Sequence, residues 1–248
     1  MNESTAKNGD YGIDAPPVIR NLILAGLASM IAGIVLYVVL ASVQWRIGVI
    51  VLVWGLLAGA SMVATAVLMV WSSKAGKLQL RERLVGALAL RGTETIVDAG
   101  CGRGLLLMAA ARRLTTGKAI GIDLWQSADQ TGNRPEATLA NAQVEGVAHR
   151  VEVRTGDMRA LPFDDQTVDV VISGLAIHNI PDRAGRAKAV SEIARVLKPD
   201  GQVALLDFQC TAEYAQTLRQ LGWHKVNLSG LQFQMFPPVR VVTARKPA

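Results

Sequence analysis

Asp98-Ala-Gly-Cys-Gly-Arg-Gly104 is the stretch whose residue types and spacing suit chemistry. A β-branched run from Thr95 ends in Asp98, breaks into Gly100, Cys101, Gly102, Arg103 and Gly104, and continues as an apolar run of Leu and Ala. This order predicts a buried strand, a glycine turn and a helix start. Glycines let a backbone approach a ligand closely, and a helix start presents N–H groups. Asp98 adds a carboxylate at the strand's end. A second acid, Asp123, closes the run Lys118-Ala-Ile-Gly-Ile-Asp123. It follows at about the reach of one βαβ unit. One further group suits proton transfer near neutral pH: His178, in Gly174-Leu-Ala-Ile-His-Asn-Ile180 after a β-branched run.

Positioning these groups takes an alternation of strands and helices. Apolar runs predict strands over 95–98, 118–123, 151–154, 167–173, 202–208, 223–228 and 239–245. Helices are expected over 78–90, 105–114, 135–145, 183–197 and 212–221. The long polar loop between Trp125 and Arg134 exceeds the usual strand-to-helix link of about 2–6 residues. Asp129, Asn133 and Arg134 are therefore ligand candidates, with a solvated loop as the alternative. His149 and His224 read as structural. The two cysteines are too few for a disulfide framework.

Asp-x-Gly-x-Gly-x-Gly differs from the dinucleotide fingerprint G-x-G-x-x-G. It resembles the first motif of class I S-adenosylmethionine (SAM) dependent methyltransferases. Asp123, Thr155-Gly-Asp-Met158, Leu161-Pro-Phe163 and Lys198-Pro-Asp-Gly201 extend the resemblance over about residues 78–248. It implies a Rossmann-like α/β fold, with seven strands in the order 3-2-1-4-5-7-6 and the last strand antiparallel. It implies SAM as cofactor. The loop of Gly100, Cys101, Gly102 and Gly104 would pass the methionine part, and Asp98 would help hold its amino group. A positive amine suits an anionic strand end; a pyrophosphate does not. Asp123, with Leu124 beside it, would take the ribose hydroxyls. Asp157 would meet the adenine amino group and Met158 its ring. The end of strand four, Ser173 included, would lie over the methyl group. There His178 is a base or substrate-orienting group, or a hydrogen-bonded loop residue. The tetrapeptide of nitrogen-methylating relatives and the Pro-Cys pair of cytosine methylation are both absent from the sequence.

The front of the chain is of another kind. Half of the 248 residues are hydrophobic, and Leu22 to Val43 and Ile47 to Trp71 carry no charge. Each run matches the ~20 residues that cross a bilayer. Only Gln44-Trp45-Arg46 separates them. This predicts two transmembrane helices, too long for a signal peptide's apolar region. Trp45 and Trp71 sit at span ends, as interface anchors do. Lys74, Lys77, Arg81, Arg83 and Arg91 follow the second run with one acid, Glu82. The positive-inside rule then puts both termini and the catalytic domain in the cytoplasm. The same cluster forms a basic skirt for anionic lipid and explains much of the +6 net charge without nucleic acid. Gly55-Leu-Leu-Ala-Gly59 is a small-xxx-small pattern, for packing between the two helices or for a homodimer.

The expected organisation is a flexible tail over 1–20, a hairpin over 21–71, a basic juxtamembrane segment over 72–92, and the methyltransferase domain over 93–248. The expected activity is methyl transfer to a small, lipophilic acceptor at the cell membrane. A non-catalytic SAM-binding membrane protein and a membrane-bound NAD-dependent oxidoreductase are the alternatives. No metal is expected.

Overall fold

The computed structural model describes residues 9–126 and 132–248. The chain divides into two compact units: residues 13–76, and residues 77–248 together with the chain before Ile13.

In the smaller unit, α1 (Pro16–Trp71) consists of two helical arms that meet at a kink. The expected three-residue loop shrinks to a single non-helical residue, Gln44, at φ −145° and ψ 71°. Glycines bring the two arms together. A Cβ placed on Gly55 would lie 2.8 Å from Gly33 Cα, and one on Gly59 would lie 2.5 Å from Gly26 O. Gly55 and Gly59 thus serve packing within the chain, which small residues permit by letting backbones approach. By length and composition the helix is apolar enough to cross a membrane, with a mean hydropathy of 2.5 in its best window. Gly59→Val should force the arms apart. The check is a longer distance between spin labels placed at the exposed positions Leu27 and Leu57.

The larger unit is an α/β sandwich. Helix α2 (Lys77–Gly86) leads into β1 (Thr95–Ala99), followed by α3 (Leu105–Ala111) and β2 (Lys118–Asp123). Next come α4 (Pro135–Val144), β3 (Val151–Thr155), β4 (Val168–Gly174), α5 (Arg183–Val196) and β5 (Leu197–Asp207). The chain ends with α6 (Thr211–Gln220), β6 (Asn227–Leu228) and β7 (Arg240–Arg245). Sheet order is β3-β2-β1-β4-β5-β7-β6, as expected from the resemblance. β1 to β5 run parallel, and β7 is antiparallel to both β5 and β6. Apolar residues of α2 and α3 pack on one face, and those of α5 and α6 on the other. Strands buried on both faces read as continuous apolar runs, which is why they were legible.

Three differences stand out. β5 starts at Leu197, and residues 198–201 bulge out as the register jumps from Val168↔Leu197 to Val170↔Gln202. β6 shrinks to the two residues Asn227–Leu228, and Trp223 is buried in the core. The expected flexible tail is docked over residues 9–12. Tyr11 is 4% exposed, its hydroxyl bonds Glu145 Oε1, and Asp10 N donates to Asn141 Oδ1 at 2.8 Å.

Candidate active site

The carboxyl edge of the parallel strands gathers the predicted groups. Asp98, on the central strand β1, is 2% exposed, and its Oδ1 has no hydrogen-bond partner among the described residues. Burial pushes its pKa up to about 8, and the nearby Asp123 charge adds to the rise, while a bond from the Leu107 backbone opposes it. A buried carboxyl with an open oxygen is costly unless a ligand completes it. Asp98 also lines a pocket with Gly100, Leu175, Met235, Lys77 and Arg81.

The glycine loop carries its own hydrogen-bond signature. Gly100 N and Cys101 N both donate to Ile122 O, at 2.7 and 3.1 Å. Gly102 N donates to Asp123 Oδ2 at 2.8 Å, and Gly104 N to Cys101 O at 2.8 Å. These donors, expected to face a ligand, are spent inside the protein. A pyrophosphate needs such N–H groups; an ammonium needs the Asp98 oxygen instead. Gly100 has φ +77°, and a Cβ there would lie 2.2 Å from Ala176 Cβ and 2.9 Å from Met158 Cε. Gly100→Ala should therefore cost about 2–4 kcal/mol through overpacking and backbone strain. Chemical denaturation of the detergent-solubilised protein measures it.

Asp123 Oδ1 accepts from Trp125 N at 2.7 Å and Asn133 Nδ2 at 3.1 Å, so the carboxylate is fixed by three donors. Asn133 is thereby tied to the site as a second contact to Asp123. Arg134 is exposed at the start of α4, and Asp129 lies outside the described residues. Leu124 is 46% exposed next to Asp123. Asp157 is chelated by Arg159, with Nη2 at 2.6 Å and Nε at 2.9 Å. That pairing holds its carboxyl below the usual range. Met158 lies beside the glycine loop through Gly100. Two expected cofactor contacts point elsewhere. The Cys101 side chain is buried in the core against Gly121, and burial raises its thiol pKa. Ser173 is buried and donates to Ala99 O at 2.6 Å, tying β4 to β1.

His178 sits in a short turn, Ile177–Asn179, that leaves β4 next to Ala176, the residue packed on the glycine loop. Its Nδ1 lies 2.8 Å from Asp207 Oδ1 at the end of β5. The carboxylate is 1% exposed and also accepts from Tyr214 Oη at 3.0 Å and Phe208 N at 2.8 Å. The Phe208 ring stands edge-on to the imidazole at 4.5 Å. His178 Nδ1 and Asp207 Oδ1 are close but not aligned as a hydrogen bond; a carboxylate beside Nδ1 favours the tautomer protonated there, which leaves Nε2 for proton exchange. Asp207 and Tyr214 were not legible as site residues, since only the β4–β5 pairing brings them to His178.

The basic skirt also needs correction. Lys77 and Arg81 are 3% and 2% exposed and turn inward, whereas Lys74, Arg83 and Arg91 stay at the surface.

Residues 97–205 match the family model Methyltransf_11, described as a methyltransferase domain. A demethylmenaquinone methyltransferase of Lactobacillus johnsonii is 29% identical over 160 residues, covering 63% of this chain and 57% of its own. The chloroplastic 2-phytyl-1,4-beta-naphthoquinone methyltransferase of Arabidopsis thaliana is 33% identical over 129 residues, 52% of this chain and 46% of its own. The chain thus spans about half the length of the curated relatives it matches. Among solved structures, a SAM dependent methyltransferase from Aquifex aeolicus superimposes with a TM-score of 0.54 at 20% identity, covering 69% of this chain and 93% of that one. That likeness speaks to the fold. Residues 97–205 thus match a methyltransferase-domain model and carry the central part of a sheet in the order 3-2-1-4-5-7-6.

Proposed function

We propose that this chain transfers the methyl group of SAM to a small lipophilic acceptor of the quinone type, from a domain tethered to the membrane by α1. The observation that carries the donor is Asp98: a buried carboxyl with an open oxygen, beside a glycine loop in which the N–H groups of Gly100, Cys101, Gly102 and Gly104 serve the fold itself. This pattern opposes the nicotinamide alternative. SAM supplies a methyl group on a sulfonium, ready for in-line displacement. The residues bind and orient: Asp98 toward the ammonium, Asp123 toward the ribose hydroxyls, Asp157 and Met158 toward the adenine. Positioning supplies most of the catalysis in such a displacement. His178, held by Asp207, takes a proton from an acceptor hydroxyl, which makes the acceptor more nucleophilic.

The acceptor class rests on the two naphthoquinone-type relatives and on the apolar helix, since fold alone selects no substrate. We read α1 as two spans bent at Gln44, with Lys74, Arg83 and Arg91 on the cytoplasmic side. Tethering raises the domain's effective concentration near a lipid-dissolved substrate.

The test is transfer of labelled methyl from SAM into demethylmenaquinone and into a membrane-lipid extract, with Asp98→Ala as control. Label in the organic phase, lost in the control, supports the reading. Intact SAM binding with no label in either acceptor would leave a non-catalytic SAM-binding protein.

A further inference from the structure

We propose that the loop between β6 and β7, with Leu231 and Phe233 exposed on it and the cations Lys225 and Arg240 flanking it, seats the catalytic domain on an anionic lipid surface. This rests on the reading that the domain works at a membrane, and it names the part of the domain that meets the lipid.

Charge in this region is one-sided. Residues 214–248 contain no Asp or Glu, against Arg219, Lys225, Arg240, Arg245 and Lys246. Lys246 gives its ammonium to Ala194 O and Leu197 O, both at 2.7 Å, and the other four cations are exposed. Arg219 and Arg245 bond the carbonyl oxygens of Val226 and Asp200, which orients them without cancelling their charge. None of the four forms an ion pair among the described residues. Uncompensated cations of this kind are drawn to anionic headgroups over about one Debye length.

The loop supplies the apolar half. Residues 229–239, Ser-Gly-Leu-Gln-Phe-Gln-Met-Phe-Pro-Pro-Val, carry no charge. Phe233 is 71% exposed, more than any other large apolar side chain described in residues 77–248, and Leu231 is 48% exposed. The loop is fixed rather than slack. Gln232 N donates to Val239 O at 2.7 Å, Ser229 N to Val241 O at 2.9 Å, and Val241 N to Ser229 Oγ at 2.9 Å. Met235 and Val239 root it in the core. Leu231 and Phe233 are therefore held outward in advance, so little ordering remains when they enter an apolar phase. Pro237 and Pro238 have no N–H groups to desolvate there. Apolar side chains bordered by cations form an interfacial lipid contact. A nucleic acid would use the cations and leave Leu231 without a partner.

Position ties this surface to the reaction. β7 is antiparallel to β5 with Arg240 opposite Asp207, so the loop stands at the end of the sheet where Asp207 adjoins His178. Seating the loop on lipid turns that end toward the phase in which a lipophilic acceptor dissolves.

The full chain reconstituted into vesicles tests the contact, with an environment-sensitive dye on Phe233→Cys. A Cys210→Ser background confines the label, since Cys101 is buried. The same dye on Asp164→Cys, exposed in the turn before β4 at the opposite end of the sheet, is the comparison. Emission at 233 should shift to shorter wavelength in vesicles containing phosphatidylglycerol, and less in phosphatidylcholine alone, while emission at 164 keeps its aqueous value. Lys225→Glu combined with Arg240→Glu should lower the lipid-seated fraction by about tenfold or more. Leu231→Ser with Phe233→Ser should raise KM for an acceptor dissolved in vesicles and leave kcat for a short-chain, water-soluble acceptor unchanged. An aqueous emission at 233 in anionic vesicles, or the same shift produced by a DNA duplex without lipid, overturns the contact. Flotation reads the tether separately. A chain that floats with vesicles while position 233 stays in water overturns the loop contact alone, and a chain that does not float overturns the tether as well.

Discussion

Asp98→Asn is expected to weaken SAM binding at least about 100-fold and to flatten its dependence on pH below neutrality. Asparagine keeps the shape and one oxygen but removes the charge, leaving a buried ammonium without its anion; truncating one partner of such a pair costs about 3–5 kcal/mol. The pH dependence follows from the raised pKa of about 8, caused first by burial. At pH 6 to 7 the ligand-free carboxyl is mostly protonated, and binding an ammonium requires it to ionise. Affinity should therefore rise by about tenfold per pH unit in that range, with release of up to one proton. The curve should turn over near pH 8, where an α-amino group itself loses its proton. Stability runs the opposite way. A carboxyl whose folded pKa exceeds its unfolded value binds more protons when folded, so the ligand-free protein should lose stability as pH rises from about 4 to about 8. Asp98→Asn should remove that slope. Calorimetry in two buffers of different ionisation enthalpy measures the proton release. A tight, pH-independent Kd in wild type would sink the assignment of Asp98 to the ammonium.

What could be read from the sequence was whatever lies close together along it. Asp98, the glycines and Asp123 fall within one βαβ unit, and the strands are apolar runs set off by turns. The sheet order followed from the resemblance those motifs carry. The remainder of the site is assembled by tertiary contacts that leave no local pattern. Tyr11 lies in a short polar segment rich in Gly and Asp, which reads as a tail until Glu145 and Arg81 are seen around it. Lys77 and Arg81 sit in a basic cluster after an apolar run, where composition suggests contact with headgroups. Their inward turn depends on the carbonyls of residues 11 and 12 and the carboxylate of Glu145. The side-chain directions of Cys101 and Ser173 were hidden for a different reason. Sequence places a residue at an edge, but the side chain of one is taken by the core and that of the other by a neighbouring strand.

Asp207→Asn should lower kcat by about 10²- to 10³-fold while leaving SAM affinity within about twofold, because it acts on the base through the base's other nitrogen. His178 Nδ1 lies 2.8 Å from Asp207 Oδ1 without a well-aligned hydrogen bond, and the adjacent carboxylate favours a proton on Nδ1, which leaves Nε2 to take one. An amide in its place can offer an N–H to Nδ1 and stabilise the opposite tautomer, which leaves Nε2 protonated and unable to act. General-base catalysis typically contributes about 10²–10⁴-fold, so His178→Ala should fall in the same range and add little to Asp207→Asn when combined. Residues that act as a unit are not additive. Tyr214→Phe removes one of the bonds to Asp207 while leaving the carboxylate charge, and should cost about tenfold or less. The discriminating readout is the split between kcat and SAM affinity. A purely structural role for Asp207, which is buried and also bonds Phe208 N, would weaken SAM binding and stability together. A role through His178 instead lowers kcat alone. An acceptor that loses no proton in the slow step would leave kcat of His178→Ala near that of wild type, and the pair would then be a positioning device for the acceptor.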